Sequence, residues 1–146
     1  MKYIIASFLL VLTSCGNIKP KEKTEDPNLQ KLMDTFFEKY KNNPGEAIDF
    51  IFKTNTDIAA DQVKELKEKL STISLLAGEY HGQEQITSQK ATSSLVYFSF
   101  LVKHDKPIRF IFMFYKPKDK WKIYKFKFDD QVDAELEESG KVYFIK

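Results

Sequence analysis

One cysteine, Cys15, stands in 146 residues, so no internal disulfide can brace the fold. Histidine is nearly as scarce: His81 and His104 lie far apart and lack the cysteine or carboxylate spacing of a metal site. Glycine occurs five times, never in a run that would cradle phosphate, and the Gly-x-Ser-x-Gly pattern of a nucleophile elbow is missing. No cofactor is indicated. An excess of one charge is missing too. With 23 Lys and Arg against 21 Asp and Glu, the formal net charge of +2 excludes the one-sided basic footprint of a nucleic-acid binder. Internal repeats do not occur, and no apolar run approaches the ~20 residues that a membrane-spanning helix needs.

What the chain has in plenty is aromatic side chains, 13 Phe and seven Tyr. Many fall in three apolar runs, LVYFSFLV from Leu95, RFIFMFY from Arg109 and WKIYKFKF from Trp121. The even positions Val96, Phe98, Phe100, Val102, Ile108, Phe110, Phe112, Phe114, Tyr124, Phe126 and Phe128 are all apolar or aromatic, a period of two that predicts strands with one core-facing side. Closing the polar loops Lys103 to Pro107 and Lys116 to Lys120 symmetrically sets Val102 opposite Ile108, Phe100 opposite Phe110 and Phe98 opposite Phe112. The second loop then sets Tyr115 opposite Trp121 and Phe112 opposite Tyr124. Even meets even across both hairpins, which predicts a meander.

The odd positions behave differently. Leu95, Tyr97, Met113, Tyr115, Trp121 and Ile123 gather at one end of their face, and Ser99, Arg109, Lys125 and Lys127 at the other. A sheet covered on one side only would be polar throughout the other. Part of the second face is therefore expected to be covered, by the segment Gln131 to Ile145 folding back or by a partner.

Before the domain, Lys2 and the apolar stretch Tyr3 to Leu12 have the form of a targeting segment, with about ten apolar residues, too few to span a bilayer. Leu12-Thr13-Ser14-Cys15 follows and resembles the lipobox of bacterial lipoprotein signal peptides. The resemblance implies cleavage before Cys15 and its lipidation, and hence a cell-envelope protein held to the membrane by acyl chains. Residues 16–27 are charged and proline-punctuated, a flexible tether of at most ~40 Å.

Residues 28–146 are expected to form a single domain. Asp26 is placed as N-cap and Pro27 as first residue of a helix whose apolar stripe is Leu29, Leu32, Met33, Phe36, Phe37 and Tyr40. Asn43-Pro44-Gly45-Glu46 starts a second helix with Glu46 placed for a capping box, and Val63, Leu66, Leu70, Ile73 and Ala77 mark a third that ends at Gly78. Glu79 to Thr87 is expected as an edge strand, residues 129–138 as an acidic stretch with a short helix, and Lys141 to Lys146 as a last strand. N-terminal helices followed by a curved, mainly antiparallel sheet make an α+β fold. With Gly78 leading into the first strand, two long hairpins and Lys120-Trp121 opening a strand, the region from about Asn28 to Phe128 resembles the NTF2-like, cystatin-like cone superfamily. That resemblance implies a sheet wrapped around helices, often with a pocket between them and with dimerisation through the sheet; it covers enzymes and non-catalytic modules alike.

Its enzymes, by the same resemblance, place acids or a histidine inside the cone, whereas the even face here carries Tyr124 as its one polar group. The expectation is a non-catalytic module in which Tyr97, Met113, Tyr115 and Trp121 meet a small apolar ligand, a protein partner or a second copy. The alternatives are a homodimerising structural domain and a small hydrolase or isomerase with His81 as base and Glu84 beside it. His104, in a hairpin loop between Lys103 and Asp105, is expected in solvent.

Overall fold

The computed structural model describes residues 26–134 and 137. The expected signal segment, the lipobox-like residues ending at Cys15, all but the end of the expected tether and the expected strand at Lys141 to Lys146 lie outside them; of the acidic stretch, residues 132–134 are helical. Three helices, α1 (Pro27–Asn42), α2 (Pro44–Phe52) and α3 (Ala60–Ala77), precede four strands, β1 (Tyr80–Thr92), β2 (Leu95–His104), β3 (Ile108–Tyr115) and β4 (Lys122–Asp129). The strands form one open, curved antiparallel sheet in the order β1-β2-β3-β4, and the helices cover one of its faces. The protein is thus α+β.

Local chemistry sets the helix ends. The Asp26 carboxylate accepts from the Asn28 N–H at 3.0 Å, and Pro27 opens α1. Asn43 serves two helices: its N–H donates to the Lys39 carbonyl at 2.8 Å, ending α1, while its side-chain oxygen accepts from Gly45 and Glu46 N–H groups to start α2. The expected return bond from the Glu46 side chain is not made, because α1 already uses the N–H it would need. Gly78 closes α3 at φ +90°, with Asp105 so close that a Cβ there would lie 2.1 Å from its Oδ2.

Leu29, Met33, Phe36, Phe37 and Tyr40 of α1 pack with Ala47, Ile48, Ile51, Leu70 and the even residues of β2 and β3 in one core. The β2–β3 register is the one expected, with Phe100 opposite Phe110. At β3–β4 the expectation fails. Phe112 faces Phe126, not Tyr124, and a bulge between Met113 and Phe114 sets Phe114 opposite Ile123. Ile123 is therefore fully buried and Tyr124 is 62% exposed, so the core face has no phenol at this position. The α2–α3 loop provides partners for the outer edge of β4: Thr54 Oγ1 accepts from Ile123 N–H at 3.0 Å, and Asn55 Nδ2 donates to Ile123 carbonyl at 2.7 Å. Burying an isoleucine in place of a tyrosine spares a hydroxyl group from desolvation.

The edge strand β1 runs beyond the expected Thr87 to Thr92 and is interrupted by three irregularities in its pairing with β2. Gly82, at φ +120°, lies at the first of them. Such breaks make a poor template for another strand. On the second face of the sheet Ser99 and Ile111 are buried, and Arg109, also buried, pairs bidentately with Asp129 at 2.9 Å through both Nε and Nη2. The covered part is the end that the sequence pattern assigned to polar residues, whereas Leu95, Tyr97 and Met113 at the apolar end are only half-buried and Tyr115 is exposed. Most of the segment expected to cover it, Gln131 to Ile145, lies outside the described residues.

Candidate functional site

Two groups of polar side chains and one cleft stand out among the described residues. At the end where α3 meets the β2–β3 hairpin, Lys106 N–H donates to the Ala77 carbonyl at 2.9 Å and His104 Nδ1 lies 2.8 Å from the Gly78 carbonyl. A carbonyl oxygen only accepts, so Nδ1 carries the hydrogen. In the neutral imidazole Nε2 then accepts from the Tyr40 hydroxyl at 2.9 Å, and that hydroxyl accepts in turn from Ser74 Oγ at 2.7 Å. Tyr40 and Ser74 are buried, and burial pushes the Tyr40 phenol up to about 12 although the Ser74 bond works the other way. His104 is therefore not a solvated loop residue as expected. It joins α1, α3 and the hairpin, held edge-on against the rings of Tyr40 and Tyr80. The sequence holds no signal for this, since 64 residues separate Tyr40 from its partner.

The enzyme alternative needs His81 and Glu84 to act together, and each is engaged with a different partner. His81 Nε2 lies 2.9 Å from Asp105 Oδ1, while Glu84 takes Lys103 at 2.7 Å. All four side chains are substantially exposed. Hydrogen bonds from His81 and from the Glu79 N–H hold the Asp105 carboxyl below the ordinary range. The pair therefore braces the start of β1. Among the described residues no three His, Cys, Asp or Glu side chains converge as metal ligands.

Of the four residues expected to form an apolar surface, three stay together and one does not. Tyr97 pairs with Met113 and Leu95 with Tyr115 across β2 and β3, with Tyr115 44% exposed. Trp121 is on the helix side, packed against the core, because the bulge that buries Ile123 takes this end of β4 out of the expected alternation. Its indole N–H donates to Asp26 Oδ2 at 2.8 Å, and Lys116 Nζ lies 4.7 Å from the ring centre.

Trp121 borders a cleft of about 640 Å³ between the first half of α1, the end of α2 and the β3–β4 loop. Leu32, Phe50 and Trp121 supply apolar walls, Thr35 also lines the cleft, and the exposed Lys31 and Lys120 stand at the rim. That combination, apolar walls with a few polar groups, is the usual make-up of a small-molecule site. Asp26 secures one wall. Burial presses its carboxyl upward, but bonds from Trp121 and from the backbone of Asn28 and Leu29, with the Lys116 charge, outweigh this and hold it below its ordinary 3.8. The stability it confers is thus complete above the unfolded value and lost as pH falls through the lower folded one. Asp26→Ala is expected to cost about 1–2 kcal/mol in urea unfolding at pH 7 and less at pH 2, with Trp121 emission moving to the red. An equal cost at both pH values would contradict this account of the cap.

Comparison of the chain with protein-family models, with curated proteins and with solved structures finds no match. What fold and cleft define is an α+β protein with three helices on one face of an open four-stranded sheet and an apolar groove at the helix-sheet margin. No helix among the described residues is long and apolar enough to cross a membrane.

Proposed function

We propose that this chain is a lipid-anchored protein of the bacterial cell envelope whose NTF2-like domain is a non-catalytic binding module for a small apolar ligand. The observation that carries the reading is the groove walled by Leu32, Phe50 and Trp121, placed between α1, the end of α2 and the β3–β4 loop. Leu12-Thr13-Ser14-Cys15 after an apolar segment supports the anchor. Helices packed on a curved antiparallel meander support the superfamily. The ligand site accordingly moves from the second face of the sheet, where the sequence pattern points, to the helix side.

Trp121 is the chain's one tryptophan, so its emission reports on the groove directly. Titration with 1-anilinonaphthalene-8-sulfonate is expected to give saturable energy transfer from Trp121. Thr35→Phe, which fills the groove, is expected to weaken binding by about tenfold or more, the loss of roughly one well-packed apolar contact. Unsaturable binding, or binding indifferent to Thr35→Phe, overturns the ligand site. The anchor is tested by Cys15→Ser, expected to move the protein from the membrane fraction to the soluble fraction; retention in the membrane fraction would contradict it.

A further inference from the structure

We infer that the β3–β4 loop, together with the start of α1, is a docking surface for an anionic phospholipid bilayer, an inference that rests on the reading of Cys15 as the lipid anchor. The chain enters the domain at Asp26, and Asp26 is hydrogen-bonded to Trp121 at 2.8 Å, so the loop 116–120 lies where the tether begins. From Cys15 the intervening residues span at most ~40 Å. This end of the domain cannot leave the neighbourhood of the bilayer.

Its chemistry suits that surface. Lys116, Lys118 and Lys120 alternate along the loop, and Lys31 stands with Lys120 at the rim of the groove. Asp119 is the one carboxylate of the loop, and Asp26 is turned to the indole and the helix N-terminus. Lys31, Lys118 and Lys120 are exposed, and among the described residues none of them makes an ion pair. Lysines close to an anionic leaflet each add to its attraction, and an indole beside them is the side chain most at home at the headgroup level. Docking by this surface brings the mouth of the Trp121 groove to the bilayer, so the apolar ligand it takes would be drawn from lipid and not from bulk water.

The test uses the full lipidated protein reconstituted in neutral phosphatidylcholine vesicles and in vesicles with about one-third phosphatidylglycerol. Flotation reports the anchor, and quenching of Trp121 by a lipid brominated near its headgroup reports docking. Expected is flotation with both vesicles, with quenching strong only in the anionic ones and lost at about 0.5 M salt. Lys31→Glu, Lys118→Glu and Lys120→Glu combined should reduce the quenching to the neutral-vesicle level, and the three arginine replacements should preserve it. Flotation without composition-dependent quenching, or quenching unchanged by the charge reversals, overturns the docking alone. Loss of flotation overturns the anchor and the docking with it.

Discussion

Phe36→Ala is expected to destabilise the domain by about 3–5 kcal/mol, a large part of the 5–15 kcal/mol that a domain of this size has in total. Phe36 is completely buried where α1 crosses the sheet. Its ring meets Phe37 edge-on at 5.3 Å and Phe112 at 5.0 Å, and Phe126 lies 5.7 Å away. Aromatic rings held on several sides cannot all move into a void, so truncation leaves a cavity as well as losing transfer free energy. Urea unfolding should show the midpoint falling with little change of slope. Leu75→Ala, at a position 82% exposed on α3, is the control and should stay within about 0.5 kcal/mol of the parent. A Phe36→Ala cost as small as the control's would mean that the ring cluster is not a close-packed core.

Tyr40→Phe carries the second large effect, and its sign depends on pH. At pH 7 the substitution strands the Ser74 hydroxyl and His104 Nε2, at a cost of about 1–2 kcal/mol, softened because a helical serine can turn to the carbonyl one turn back. Above pH 10 the difference shrinks. The folded phenol ionises near 12, against an ordinary 10, so the buried neutral form stabilises the fold fully below pH 10 and that contribution disappears as pH rises towards 12. Two pH units correspond to about 3 kcal/mol. Phenylalanine cannot ionise, so the variant should start less stable than the parent and overtake it near pH 11 to 12. Urea midpoints measured from pH 7 to 12 decide the matter; parallel curves would show that Tyr40 is not buried in its neutral form.

Much of the architecture was legible because it follows from short-range rules. The α1 stripe from Leu29 to Tyr40, the caps at Asp26, Asn43 and Gly78, and the Phe100–Phe110 register each depend on residues within a few positions or on one hairpin closing symmetrically. The β3–β4 hairpin departed from that symmetry for a reason outside the hairpin. Ile123 finds its edge partners in Thr54 and Asn55, 69 and 68 residues away, and no period within β4 foretells them.

The same distinction governs the candidate site. Tyr97, Met113 and Tyr115 share a face because neighbouring strands enforce it, whereas Trp121 changed sides with the bulge. His81 and Glu84, close in sequence, went to different partners, Asp105 and Lys103, because the irregular start of β1 and the hairpin opposite it set who meets whom. By itself, then, the sequence determined the α+β class, the capped helices and the aromatic core face, all consequences of spacing along the chain. Only the tertiary structure decided that Trp121 closes a groove against α1 and that His104 ends a buried hydrogen-bonded chain from Ser74 through Tyr40. Both depend on contacts between residues more than 60 positions apart, which packing selects and local periodicity does not encode.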